Sequence, residues 1–151
     1  MNKITELMDN LDLSKFVPEL GNLMDKSRSI AGWAVMIGPL LLLILGLIYY
    51  FKAPKEANHK FGFRTYFGMG SVEAWQYTQR LAGLVLGGLG IVLTVVMGIV
   101  CLTFGGKDTL QLLDTAAVCL IWEVALTFAA WLAVSICAAV RYDKEGNRRK
   151  K

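Results

Sequence analysis

At 151 residues the chain is about one domain long, and 55% of it is hydrophobic against 19% charged. A mean hydropathy of +0.48 excludes an ordinary water-soluble domain. The formal net charge of +4 carries no nucleic-acid signature, because its densest basic run, Arg148-Arg149-Lys150-Lys151, follows an apolar run and reads as a topology determinant.

In chain order, residues 1–28 come first. Ile4, Leu7, Met8 and Leu11, then Val17, Leu20, Leu23 and Met24, recur at helical spacing, with Lys3, Glu6, Asp9 and Asp12 on other faces. This predicts an amphipathic N-terminal helix, interrupted near Ser14 to Pro18, on the membrane surface or on the bundle. A first span follows over about 30–51, uncharged throughout, with Trp33, Tyr49 and Tyr50 near its ends. Its length and its start some way into the chain argue against a cleaved signal peptide. Gly38-Pro39 in its middle predicts a kink that neighbouring helices must cover.

The connector over 52–80 is dense in aromatic residues. Phe61, Phe63, Tyr66 and Phe67 crowd around Gly62, Arg64 and Thr65, a density that belongs at an interface. Arg64 there reaches phosphate, a carbonyl or an acid, with Glu73 the nearest candidate acid. Gly68-Met69-Gly70 supplies a turn, and Ser71 an N-cap with Glu73 in the first helical turn. From there a helix runs through Trp75 and Arg80 into a second span over about 81–104.

In that span Gly83, Gly87, Gly90, Thr94 and Gly98 follow one another at steps of three or four residues, predicting a groove for close helix approach. Packing against another span of the same chain is the favoured use of this groove, and a homo-oligomer seam is the alternative. A third span covers about 116–140, with Ala116, Cys119, Glu123, Thr127, Ala130 and Cys137 on one small or polar stripe. Glu123 is the one acid at membrane depth. The residues leave two readings open: a functional group, or a register-fixing hydrogen bond to Thr94 or a backbone group of the second span. Cys101, Cys119 and Cys137 all fall within spans, which argues against a disulfide framework or a zinc site. Residues 141–151 form a basic tail.

The expectation is therefore an all-α membrane protein: three transmembrane helices over 29–140 behind an amphipathic segment. Eleven Lys and Arg residues fall in the long connector and the tail, against five on the other side. That bias places the connector and the C-terminus in the cytoplasm and the N-terminus outside. His59 stands without a metal-ligand cluster, and Gly68-x-Gly70 lacks the Lys-Ser/Thr of a phosphate-binding loop, so neither an enzyme nor a metal or cofactor is expected.

The ordered set Asn58, Gly62, Arg64 and Thr65, then Ser71, Glu73, Trp75, Arg80 and Gly83, between apolar helices, resembles the SdpI family of small bacterial integral membrane proteins. The segments that carry the resemblance are NHKFGFRT and SVEAWQYTQRLAG, within a likeness over roughly residues 35–140. Unlike the longer multi-span protein for which the family is named, this chain carries a single three-span unit behind its N-terminal segment. The resemblance implies a non-enzymatic protein of the bacterial cytoplasmic membrane that gives immunity to a secreted membrane-active peptide. It also implies signalling, with a peptide toxin or a cytoplasmic regulator as partner beside the lipid bilayer. A small oligomeric transporter or lipid-handling protein using Glu123, with Thr127 and Thr94 as neighbouring polar groups, is the alternative.

Overall fold

The computed structural model of the protein describes residues 13–57 and 61–149. Three long helices dominate: α1, Leu13–Phe51; α2, Val72–Leu102; and α3, Thr109–Arg141. A 3-10 turn, Thr103–Gly106, tightens the end of α2 just before α3 begins. The segments Gly21–Phe51, Val72–Gly106 and Thr109–Arg141 are each long and apolar enough to cross a bilayer. Less than a third of the most apolar stretch of each is buried within the bundle. The remainder exposes side chains such as Ile37, Ile91, Val95, Ile121 and Phe128. Faces of that kind are solvated by lipid tails, so the chain is a multi-pass membrane protein.

A separate amphipathic helix ahead of the first span is not what the described residues show. Residues 13–28 form the opening turns of α1, which passes the Ser14–Pro18 stretch and the 28/29 boundary without a break. Between Gly21 and Ile30 no proline or paired glycine interrupts the chain, so a helix already nucleated continues into the span. The apolar repeat through Leu11 falls on residues 1–12, outside the described residues. α1 also stays helical through Gly38-Pro39, with Pro39 fully buried.

α1 and α2 are antiparallel and share the longest seam, with α3 leaning less extensively on both. The glycines of α2 explain the closeness of that seam. A methyl group at Gly90 would lie 2.5 Å from the Leu43 nitrogen, and one at Gly83 would lie 2.7 Å from the Tyr50 nitrogen. Between them, Gly87 faces Gly46 of α1 backbone to backbone. Gly83, Gly87 and Gly90 thus pack on α1 of the same chain. Gly98 is the exception, because nothing approaches it. Seam residues alternate steps of three and four, and two successive steps of four from Gly90 rotate Gly98 off the contact face. Leu93 and Met97 take the seam instead, followed by Phe104, Leu112 and Ala116 at the far end of the core. Cys137 likewise leaves its expected stripe and is exposed, while Cys101 and Cys119 are half-buried.

Candidate functional site

With 31 residues, α2 is about 46 Å long, against about 30 Å of hydrocarbon, so its first turns project beyond the membrane core. Those turns carry the connector. Ser71 caps the helix, its hydroxyl oxygen accepting from the Ala74 N–H at 3.2 Å, and Glu73 sits in the first turn, as the sequence predicts. Trp75 is fully buried and donates its indole N–H to the Pro54 carbonyl at 2.8 Å. One turn on, the Gln79 amide grips the Phe63 backbone at both ends. The Phe63 N–H donates to Gln79 Oε1 at 2.8 Å, and Gln79 Nε2 donates to the Phe63 carbonyl at 2.7 Å. A helix side chain thereby does what a neighbouring strand would do for an extended backbone. Gly62 makes the fit possible: its φ is +127°, and a methyl group there would stand 2.5 Å from the Trp75 ring.

The next turn is closed by Thr65, whose hydroxyl oxygen accepts from the Gly68 N–H at 3.0 Å. Gly68 fits between the Thr65 and Thr78 hydroxyls, leaving no room for a side chain. The C-terminal segment completes this collar. Tyr142 is buried and donates its hydroxyl to Glu73 Oε1 at 3.2 Å, while the Arg141 guanidinium lies 4.5 Å above the Tyr77 ring. Burial first, and then the bond to Glu73, push the Tyr142 hydroxyl above the ordinary tyrosine range; Arg141 opposes the shift. Residues 142–149 double back as a hairpin: the Asp143 N–H donates to Asn147 O at 2.9 Å and the Arg149 N–H to Arg141 O at 3.0 Å. Its tip, Gly146, packs on Gly70, and the Ser71 hydroxyl donates to the Gly146 carbonyl at 2.7 Å. The basic tail is a docked element, at least as far as Arg149.

Of the expected motif, Gly62, Thr65 and Trp75 meet in the collar, and Gly83 belongs to the helix groove below it. Asn58 lies outside the described residues. Arg64 and Arg80 are exposed and make no hydrogen bond or ion pair with the described residues. Glu73, the nearest acid the sequence offered Arg64, does not pair with it and accepts from Tyr142 instead. The buried members thus build the collar while the two arginines are presented on its surface. Three further contributors were not singled out from sequence: Gln79, Thr78 and Tyr142. Gln79 and Thr78 had a readable signal, since spacings of four and three place them beside Trp75 on the helix.

At mid-bundle Glu123 is 5% exposed and lies against α1, not α2. Its Oε2 occupies the notch left by Gly38, where a methyl group would come within 2.5 Å of it. Oε1 has no hydrogen-bond partner among the described residues. The bond to Thr94 that the register-fixing reading allowed does not form: Glu123 lies against α1, and the Thr94 hydroxyl donates to the Gly90 carbonyl of its own helix at 2.7 Å. Thr127 and Glu123 line an apolar groove of about 490 Å³ with Leu41, Leu45, Phe128 and Trp131, open toward the lipid.

The chain matches the SdpI/YfhL protein family over residues 55–139, more than half its length, and belongs to that family. The matched region takes in most of the connector, all of α2 and nearly all of α3. No curated protein and no solved structure matches the chain.

Proposed function

We propose that this SdpI-family chain is a non-enzymatic immunity and signalling protein of the bacterial cytoplasmic membrane, protecting its host against a secreted membrane-active peptide or responding to one. The observation that carries this reading is the family match, which covers the whole of α2 and most of the collar built on its first turns. The excess of Lys and Arg at the connector end puts that end and the C-terminus in the cytoplasm and the N-terminus outside. In that orientation Arg64 and Arg80 face the cytoplasm, where a regulator with an acidic surface is within their reach.

The test is survival. A sensitive strain expressing the chain is challenged with a panel of membrane-active peptides, beside a deletion in the native host. Expression should raise survival against at least one peptide, and deletion should lower it. If neither changes survival anywhere in the panel, immunity is the wrong reading. The response arm is read separately, as co-purification of a cytoplasmic protein with wild-type membranes that is lost in an Arg64→Glu, Arg80→Glu double variant.

A further inference from the structure

Beside the collar, between the C-terminal hairpin and α3, lies a cavity of about 620 Å³ lined by Arg141, Arg148, Arg149 and Tyr77, with Ile136 and Val140 along its membrane side. No carboxylate lines it among the described residues, and the nearby acids are engaged elsewhere. Glu73 accepts from Tyr142, Asp143 Oδ1 accepts from the Glu145 and Asn147 N–H groups, and Glu145 Oε2 accepts from Asn147 Nδ2. Three guanidiniums brought to one cavity repel one another unless an anion joins them. The fold nevertheless brings the three side chains to its rim. Arg141 is fixed over Tyr77 with its Nε buried and unpartnered among the described residues, Arg149 Nε donates to the Tyr142 carbonyl, and Arg148 is placed by the backbone bridge to Tyr142. A free basic tail would not need a hairpin to set topology, so the hairpin asks for another explanation.

We propose that this cavity binds the phosphate headgroup of an anionic glycerophospholipid. The guanidinium forks take the phosphate oxygens. An acyl chain continues along Ile136 and Val140, which are 59% and 69% exposed on the lipid-facing side of α3. That apolar wall directly below the arginines is what selects a lipid over a soluble phosphate. The position fits as well, because α3 ends at Arg141, where hydrocarbon gives way to headgroups. The site is separate from the immunity reading and does not depend on it.

The full chain, purified in neutral detergent, is titrated with phosphatidylglycerol and with phosphatidylcholine, and bound lipid is counted by native mass spectrometry. Phosphatidylglycerol should be retained preferentially. Arg148→Gln should weaken its retention about fivefold, the effect of one Arg at an anionic surface, and leave phosphatidylcholine unaffected. The Arg148 side chain makes no hydrogen bond with the described residues, so the unfolding temperature should hold, and the variant's fold is checked that way. Lys52→Gln, an exposed charge at the same end of the molecule but outside the cavity, should leave the retention of both lipids unchanged. Equal retention of the two lipids, or an equal loss from Lys52→Gln, would replace a built site with diffuse surface charge and overturn the proposal. Displacement of the lipid by inorganic phosphate at matching concentration would overturn its assignment to lipid.

Discussion

Gln79 and Glu123 are both nearly inaccessible, at 1% and 5% exposure, and the molecule treats them in opposite ways. In the collar, Gln79 has both ends of its amide engaged by one backbone residue, and the indole beside it is bonded too. At mid-bundle, Glu123 is packed against Gly38 with a carboxyl oxygen left over. A fully satisfied polar network rigidifies the segment it joins, whereas an unsatisfied group holds nothing in place. The collar is therefore the specified, locked part of this protein. The α1–α3 seam is the loosely specified part, held by shape and apolar contact.

That contrast can be broken experimentally, and the largest effect is expected at Trp75. Trp75→Ala removes the ring against which Gly62 is laid and the indole bond to the Pro54 carbonyl, and should cost about 3–5 kcal/mol, seen as a lower unfolding temperature in detergent and as new protease cleavage within 61–70. If the connector stays protected in this variant, the collar is not held by that ring.

The sharpest comparison is between Gln79→Leu and Glu123→Leu. The first leaves a buried N–H and a buried carbonyl of Phe63 unpartnered, at about 1–3 kcal/mol each. The second removes an orphaned polar group from an apolar groove, so stability should hold or rise, by up to about 1–3 kcal/mol. Equal destabilisation by both would mean that Glu123 makes a stabilising contact after all, and the two regions would no longer differ in kind. Gly62→Ala comes next. It combines a φ of +127° with a methyl group against Trp75 and should cost about 1–3 kcal/mol, read by the same melt.

The division between these regions also explains what was legible in the sequence. Span count and span position follow from three uncharged or nearly uncharged runs, because lipid requires apolar surface whatever the partners are. The Gly83, Gly87 and Gly90 groove was readable for the same kind of reason, since small residues, glycine above all, let two helix backbones approach closely. What could not be read are contacts between segments far apart in the chain. Tyr142 reaches Glu73 across 69 residues, and Gly38 opens a notch for Glu123 on another helix. Neither pairing leaves a local period or spacing. Glu73 illustrates the point: nearness in sequence made it the candidate acid for Arg64, whereas its observed partner is a tyrosine 69 residues away.

Tyr142 gives the smallest effect and tests whether the C-terminal hairpin belongs to the locked region. Tyr142→Phe keeps the packing and loses the bond to Glu73, so at pH 8 it should be less stable than wild type by about 0.5–1.5 kcal/mol. The hydroxyl is held above its ordinary value of 10.0 in the docked state, chiefly by burial and then by Glu73. The docked form therefore binds its proton more tightly than the undocked form. The stabilisation is complete below the ordinary tyrosine value and is lost as pH climbs through the raised one, where a phenolate would face a carboxylate. The difference in unfolding temperature between wild type and Tyr142→Phe should be steady up to about pH 10 and shrink above it. A difference that stays constant through that range would mean the hydroxyl is not engaged with Glu73. The hairpin would then rest on the packing of the Tyr142 ring against Tyr77 and on the contacts of Gly146 with Gly70 and Ser71.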